Sequence, residues 1–136
     1  MLSVNKYPQD YIDACRARVK AQVSTYRKLI KTTTNDSAIA SFVPVFFNNM
    51  AIILDSYFVH RARTMEGKDG NPLNEVRVIC NSLMQNGGAM SADKVIRLNP
   101  AKSVLKYEVG DEIRLRESDF LRLAEAYFAE IESKYS

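Results

Sequence analysis

Apolar positions recur every three or four residues in four parts of the chain, and each part predicts an amphipathic helix. The first predicted helix runs from about Pro8 to Thr32, and proline suits a first turn because an amide hydrogen there needs no helical partner. Its apolar stripe consists of Ile12, Cys15, Val19, Val23, Tyr26 and Ile30. The short polar side chains of residues 32–37 compete for the backbone and predict a loop.

The second predicted helix is apolar on nearly every side. It begins between Ser37 and Pro44 and ends near Glu66, and Pro44 either opens it or kinks it. One broad face carries Phe46, Phe47, Met50, Leu54, Tyr57 and Phe58. Ile52 and Val59 lie on the other side, which is typical of a helix in the middle of a bundle.

The same segment raises the question of a membrane span. A spanning helix needs about 20 mostly apolar residues. The apolar run over residues 42–59 is interrupted by Asn48, Asn49, Asp55 and Ser56. We therefore expect a core helix of a soluble protein, with no membrane as a partner.

Two further helices are predicted after a glycine-containing loop. The third starts at Asn71-Pro72, with Asn71 as the N-cap, and stops at residues 86–88. Its apolar face consists of Leu73, Val76, Cys80, Leu83 and Met84. The last helix is predicted with Ser118 as the N-cap and Asp119 in the first turn. Its apolar face consists of Phe120, Ala124, Tyr127, Phe128, Ile131 and Tyr135.

Residues 89–116 show a weaker pattern. Residues 95–98 suggest a short strand, and alternating apolar residues on both sides of Gly110-Asp111 predict a β-hairpin with glycine first in its two-residue turn. A short helix that opens at Asn99-Pro100 is the rival interpretation. We therefore expect a mainly α, four-helix bundle-like single domain over residues 1–136, with a small β-hairpin or irregular element around residues 95–115.

Composition fits this fold and adds little about function. With 136 residues, 46% hydrophobic and 26% charged, the chain matches one ordinary globular domain. A net charge of +3 is a weak signal for nucleic acid. Cys15 and Cys80 lie in apolar helical patterns, which predicts buried thiols in a reducing compartment. No signal peptide is evident, so we expect a cytoplasmic protein with no metal and no cofactor.

A stripe of polar residues on the second helix is the first candidate site. It consists of Asn48, Asn49, Asp55, Ser56, His60 and Arg63, which fall within about 140° of the helical wheel. Such residues form either an internal hydrogen-bond network, a solvent face or a pocket between helices. His60 is the one histidine, and its ordinary pKa suits acid–base work. We expect Asp55 and His60 to be largely buried, with Arg63 or Arg77 compensating Asp55.

The loop over residues 66–72 is a candidate anion site. It ends on a helix N-terminus, where free amides favour negative charge. The candidate anion-binding residues are Arg61, Lys68, Asn71 and Arg77. The alternative is an ordinary capped connection between two helices.

The first helix carries a basic row, and the last helix is acidic. The row consists of Arg16, Lys20, Arg27 and Lys31. It could follow a phosphate backbone, or it could face the acidic helix within one chain or across a dimer. We favour the second interpretation and expect a homodimer, because small bundles of this kind often pair with two-fold symmetry.

Three functions fit the sequence. The first is a cytoplasmic interaction or regulatory domain that forms a homo-oligomer. The second is a small-ligand-binding protein or enzyme, with a pocket around His60 and a cationic loop for an anionic ligand. The third is a nucleic-acid binder that uses the first helix, for which we expect less support. The sequence assigns no catalytic residue, and it lacks the Glu-x-x-His pair of di-iron helical bundles.

Overall fold

A computed structural model describes residues 3–136, and these residues form five helices and no β-strand. The helices are α1 (Gln9–Thr32), α2 (Asp36–Ser56), α3 (Arg63–Glu66), α4 (Pro72–Gln85) and α5 (Glu117–Tyr135). Helices account for 61% of the structure, so the prediction of a mainly α fold is confirmed. The β-hairpin is not present in the described residues.

The core lies where the apolar stripes of the four long helices meet. Helices α2, α4 and α5 pack against one another, and α1 covers α2 and α5. The predicted stripe of α1 is buried except for the half-buried Ile30, and the predicted stripe of α5 is buried throughout. The sequence period of these two helices therefore identified their inner faces.

Helix α2 ends at Ser56, so the prediction that it continues to about Glu66 was wrong. Beyond Ser56 the backbone turns twice, because the amide of Phe58 donates to Asp55 and that of Arg61 donates to Phe58 (both 3.1 Å). The chain then pairs with the N-terminal segment: the amide of Val4 donates to the His60 carbonyl at 2.8 Å. This pairing joins residues far apart in the sequence, and helical periodicity does not report it.

Only one side of α2 lies in the core. Phe47, Met50, Ala51 and Leu54 are buried against the neighbouring helices. On the outward side, Phe42 is 40% exposed and Val45 is 55% exposed. The expectation that an all-round apolar helix is covered on all sides was therefore wrong, because α1, α4 and α5 contact one side of it.

Side-chain hydrogen bonds fix where α4 and α5 begin. The Asn71 side-chain oxygen accepts from the amides of Leu73 (2.9 Å) and Asn74 (3.3 Å), which confirms the predicted N-cap. Helix α5 begins two residues earlier than predicted, with Arg116 in the cap position in place of Ser118. The Asp119 carboxylate accepts from the Arg116 amide at 3.1 Å and so closes the first turn.

The segment around Gly110 forms a turn, but its flanks do not pair with each other. The amide of Asp111 donates to Glu108 at 3.0 Å, and Gly110 holds the third position of this turn with a φ of 95°, where glycine is favoured. The following residues pair with residues 88–90: Met90 donates to Asp111 (2.7 Å) and Ile113 donates to Gly88 (2.8 Å). The sequence therefore placed a turn at Gly110 correctly, but glycine is the second of its two central residues where it was predicted first, and the predicted pairing of the two flanks was wrong.

Residues 93–103 are irregular in place of the predicted short strand. The Asp93 carboxylate accepts from the amides of Val95 and Ile96, both at 2.8 Å, which bends the backbone at the start of the segment. At Asn99 the rival interpretation is closer, because the Asn99 carbonyl accepts from Lys102 and Ser103 in a single turn. In α4, Met84 was predicted to lie on the apolar face, but it is 58% exposed and lies outside the core.

The segment before α5 is tied to α2 by the Asn48 side chain. Its amide donates to the Ile113 carbonyl and its oxygen accepts from the Leu115 amide, both at 3.0 Å. These two bonds position Ile113 and Leu115, which are buried in the core.

We expect Asn48→Ala to lower the free energy of unfolding by about 1–3 kcal/mol, because the two backbone groups lose their partners. The matched control is Asn81→Ala, an exposed asparagine in α4, which should change stability by less than about 0.5 kcal/mol. Urea denaturation of both variants measures the difference. Equal losses in the two would show that the Asn48 bonds contribute nothing of their own.

Candidate functional site

The polar stripe predicted on α2 is not gathered into one pocket. Because the chain leaves the helix after Ser56, the helical wheel does not apply to its last two members. Asn48 braces the backbone before α5, and Asp55 points into the interior beside other charged groups. The remaining four are exposed: Asn49, Ser56, His60 and Arg63. The expectation that His60 is largely buried was wrong.

Asp55 is compensated by Arg61. The Arg61 guanidinium donates to the Asp55 carboxylate at 2.9 Å, and the Tyr127 hydroxyl donates to the same oxygen at 2.9 Å. The expected partners Arg63 and Arg77 do not hold this carboxylate, so that prediction was wrong. Arg61 can reach back to Asp55 because the two turns after Ser56 bring it beneath the end of α2.

A second buried carboxylate, Glu66, lies on the other side of Arg61. Its side chain is fully buried and accepts from Arg61 at 3.0 Å, from Arg77 at 2.6 and 3.1 Å, and from Asn74 at 2.8 Å. Burial by itself raises the pKa of Glu66, but the Arg77 hydrogen bonds and the nearby guanidinium charge of Arg61 outweigh it and hold the pKa below its ordinary value.

We call this group the Arg61 cluster; it comprises Asp55, Arg61, Glu66, Asn74, Arg77 and Tyr127. Two carboxylates face two guanidinium groups, so their charges balance. In the part of the chain that the structure describes, every buried side-chain nitrogen or oxygen has a hydrogen-bond partner. The buried polar atoms of the cluster are therefore all satisfied within the protein, and the cluster joins the ends of α2 and α3 to α4 and α5.

The predicted anion site is filled by the protein's own groups. Arg61 and Arg77 both hold the Glu66 carboxylate, and the first amides of α4 are capped by Asn71. Lys68 is exposed at the surface of the loop. The loop is compact because Gly70, with a φ of 87°, lies against the Arg97 carbonyl, which a Cβ atom would meet at 2.6 Å.

The basic row of α1 faces the acidic helix α5 within the same chain. Arg16 pairs with Glu132 at 2.8 Å, and Arg27 pairs with Glu117 at 2.7 Å. Their charge complementarity therefore does not require a second copy. Because two of its four members are engaged in this way, the row presents less free charge to a phosphate backbone.

The two cysteines are poorly suited to act as nucleophiles. Cys15 and Cys80 are both buried free thiols, and burial raises the pKa of each above its ordinary value. Within residues 3–136, no three side chains of His, Cys, Asp or Glu are grouped as metal ligands would be.

A cleft of about 300 Å³ lies between α4 and residues 90–109. Two of its polar side chains already hold backbone amides: Asp93 accepts from Ile96, and the Tyr107 hydroxyl accepts from Arg114. None of the polar-stripe residues lines this cleft. It therefore does not supply the pocket around His60 that the sequence suggested.

An uncovered apolar surface lies between α1 and α2. Two adjoining clefts of about 320 and 340 Å³ share Leu29 and Phe42 in their walls, and we call them together the α1–α2 groove. Its other residues are Ala21, Gln22, Thr25, Tyr26, Ile30, Thr33, Ala38, Ile39 and Phe46. No charged side chain lines it. Leu29 is 52% exposed, and Val45 extends the apolar surface along α2.

Helix α2 is long and apolar enough to cross a membrane by length and composition, the one such helix among the described residues. Only 22% of its most apolar window is buried inside the protein. A core helix of this composition would be mostly covered, so the outward side of α2 is the feature that needs an explanation.

Comparison of the chain with protein-family models, with curated proteins and with solved structures found no match. The sequence indicated that α2 is apolar all round but not that its outward side is uncovered. It also placed Arg61 in an anion site, and the short spacing of Asp55, Arg61 and Glu66 was the available signal for their pairing.

Proposed function

We propose that this protein is a non-enzymatic interaction domain that binds a protein partner through the α1–α2 groove and the adjoining outward side of α2. The observation that carries the proposal is the exposure of Leu29 (52%), Phe42 (40%) and Val45 (55%) around a groove with no charged lining. Exposed apolar side chains that adjoin one another around a groove are typical of interaction sites.

The groove has the rigidity that a docking surface requires. Tyr26 stacks on Phe46 with ring centroids 4.8 Å apart, and Phe46 meets the buried Phe47 edge to face at 4.9 Å. These contacts fix the floor of the groove before a partner arrives. Aromatic residues in preformed pockets supply much of the binding energy at interfaces.

The other two functions draw less support from the geometry. His60 is exposed and lies apart from the other candidate pocket residues, and the arginines of the cationic loop are paired with Glu66. The buried thiols support a place in a reducing compartment such as the cytoplasm.

A photoreactive benzoylphenylalanine at position 45, in the cells that make the protein, tests the proposal. We expect a covalent protein adduct from Val45 and none from a matched control at Val109, which is 69% exposed but lies outside the groove. Adding Phe42→Glu should reduce the adduct at least tenfold, on the order of 1.4 kcal/mol, because a carboxylate would have to be buried. Equal labelling at both positions, or none at position 45, would contradict the proposal.

A further inference from the structure

The outward side of α2 carries residues spaced alternately by four and three positions. We call them the α2 stripe: Ala38, Phe42, Val45, Asn49, Ile52 and Ser56. All are exposed except Ile52, which is half-buried. An average spacing of 3.5 residues keeps side chains facing a partner helix along its length. The stripe therefore runs along one exposed face of α2, where a partner helix could lie along its length.

The α2 stripe is also free of charge. No charged residue occurs between Asp36 and Asp55. An acidic or basic partner would find no opposite charge there. Two copies of the same helix, in contrast, can meet along this stripe without repulsion between like charges, although each chain carries a net charge of +3.

Asn49 lies near the middle of the stripe, between Val45 and Ile52. A single asparagine in an apolar seam costs some stability but fixes the register and the number of helices, because its amide must find a partner. On a two-fold axis through this position, each Asn49 side chain can donate its NH₂ group to the other's carbonyl oxygen. An isologous contact between two identical chains brings together the same residue from each copy.

On this basis we propose that the partner is a second copy of this chain, paired through α2 with the two-fold axis at Asn49. This inference rests on the proposed interaction function and names its partner. The basis differs from the charge complementarity of α1 and α5, which is satisfied within one chain.

The exposed area agrees with a missing partner. The chain exposes 7992 Å². A compact monomer of 15.4 kDa is expected to expose about 7,200 Å². The excess of about 800 Å² over the whole chain is similar in size to the area that one partner buries in an interface of standard size.

The molar mass of the full chain in solution is the first test. Sedimentation equilibrium should give twice the 15.4 kDa of one chain. Val45→Glu should weaken the dimer on the order of 100-fold or more, because it places two like charges in the seam. Val109→Glu introduces the same charge at an exposed apolar residue outside the stripe and should leave the dimer intact.

A symmetric disulfide is the second test, and it locates the axis. Asn49→Cys should form a covalent dimer under mild oxidation, because residues beside a two-fold axis approach within disulfide distance. The native Cys15 and Cys80 are buried and should not react. Ser24→Cys, an exposed position on α1, is the control and should remain uncrosslinked.

The outcomes separate this inference from the proposed function. If the chain is a monomer at about 100 μM, a concentration well above the dissociation constant of most stable dimers, the homodimer is overturned. If benzoylphenylalanine at position 45 still gives an adduct in cells, with a mass other than that of two copies of this chain, the interaction function stands with a different partner. If the chain is a monomer that floats with phosphatidylcholine vesicles, and Val45→Glu abolishes this vesicle binding, the stripe is assigned to a membrane and both proposals are overturned.

Discussion

An Arg61→Met substitution is expected to lower the free energy of unfolding by about 3–5 kcal/mol. The Arg61 side chain is fully buried and donates to Asp55, to Glu66 and to the Phe58 carbonyl. Methionine fills a similar length but donates no hydrogen bond, so the carboxylates lose a guanidinium that water cannot replace. Since a small domain is stabilised by only about 5–15 kcal/mol, the melting temperature should fall markedly.

The matched control for this variant is Arg63→Met. The Arg63 side chain is 61% exposed, and its Nε lies 3.8 Å from Glu66. Exposed ion pairs contribute about 0–1 kcal/mol, so this substitution should change stability within that range. Urea denaturation of the two variants and the parent measures the difference. If Arg61→Met were as stable as Arg63→Met, the buried cluster would not hold the fold together.

Glu66→Gln is expected to lower the free energy of unfolding by about 3–5 kcal/mol at neutral pH, because it leaves two guanidinium groups with one remaining carboxylate. Glutamine keeps the volume of the side chain and its position beside Asn74, so the loss reports the charge. The cluster then contains Arg61 and Arg77 against Asp55 alone. Urea denaturation of the variant beside the parent protein checks this value.

The pH dependence of the same comparison tests the state of Glu66. Burial raises its pKa, but the hydrogen bonds and charges of Arg77 and Arg61 outweigh burial and lower the pKa from the ordinary 4.5. The ionised carboxylate therefore stabilises the fold above this ordinary pKa, and the contribution is lost as the pH falls through the lower pKa of the folded state. The difference between parent and Glu66→Gln should be full at neutral pH and shrink below pH 4.5. A difference that stays constant with pH would contradict this assignment.

Local sequence patterns predicted the parts of the fold that local interactions form. The inner faces of α1 and α5 follow from the spacing of their apolar residues, and the start of α4 follows from Asn71 and Pro72. Residues a few positions apart on a helix share a face whatever the rest of the chain does. These elements are therefore visible without knowledge of their neighbours.

The Arg61 cluster could not be assembled from the sequence in the same way. Its members come from α2, the turns that follow it, α3, α4 and α5, so their meeting depends on how the helices pack. A helical wheel extended past Ser56 placed His60 and Arg63 beside Asp55. The turns after Ser56 bring Arg61 there in their place.

The sequence by itself determined that this chain is mainly helical, where α1 and α4 begin, and that α2 is apolar on nearly every side. Only the tertiary structure decided which side of α2 is covered, where α2 ends and which arginine holds Asp55. The physical reason is that an apolar side chain gives the same sequence pattern whether it packs against the chain's own core or against a partner. The packing of α1, α4 and α5 on one side of α2 leaves Phe42 and Val45 exposed on the other.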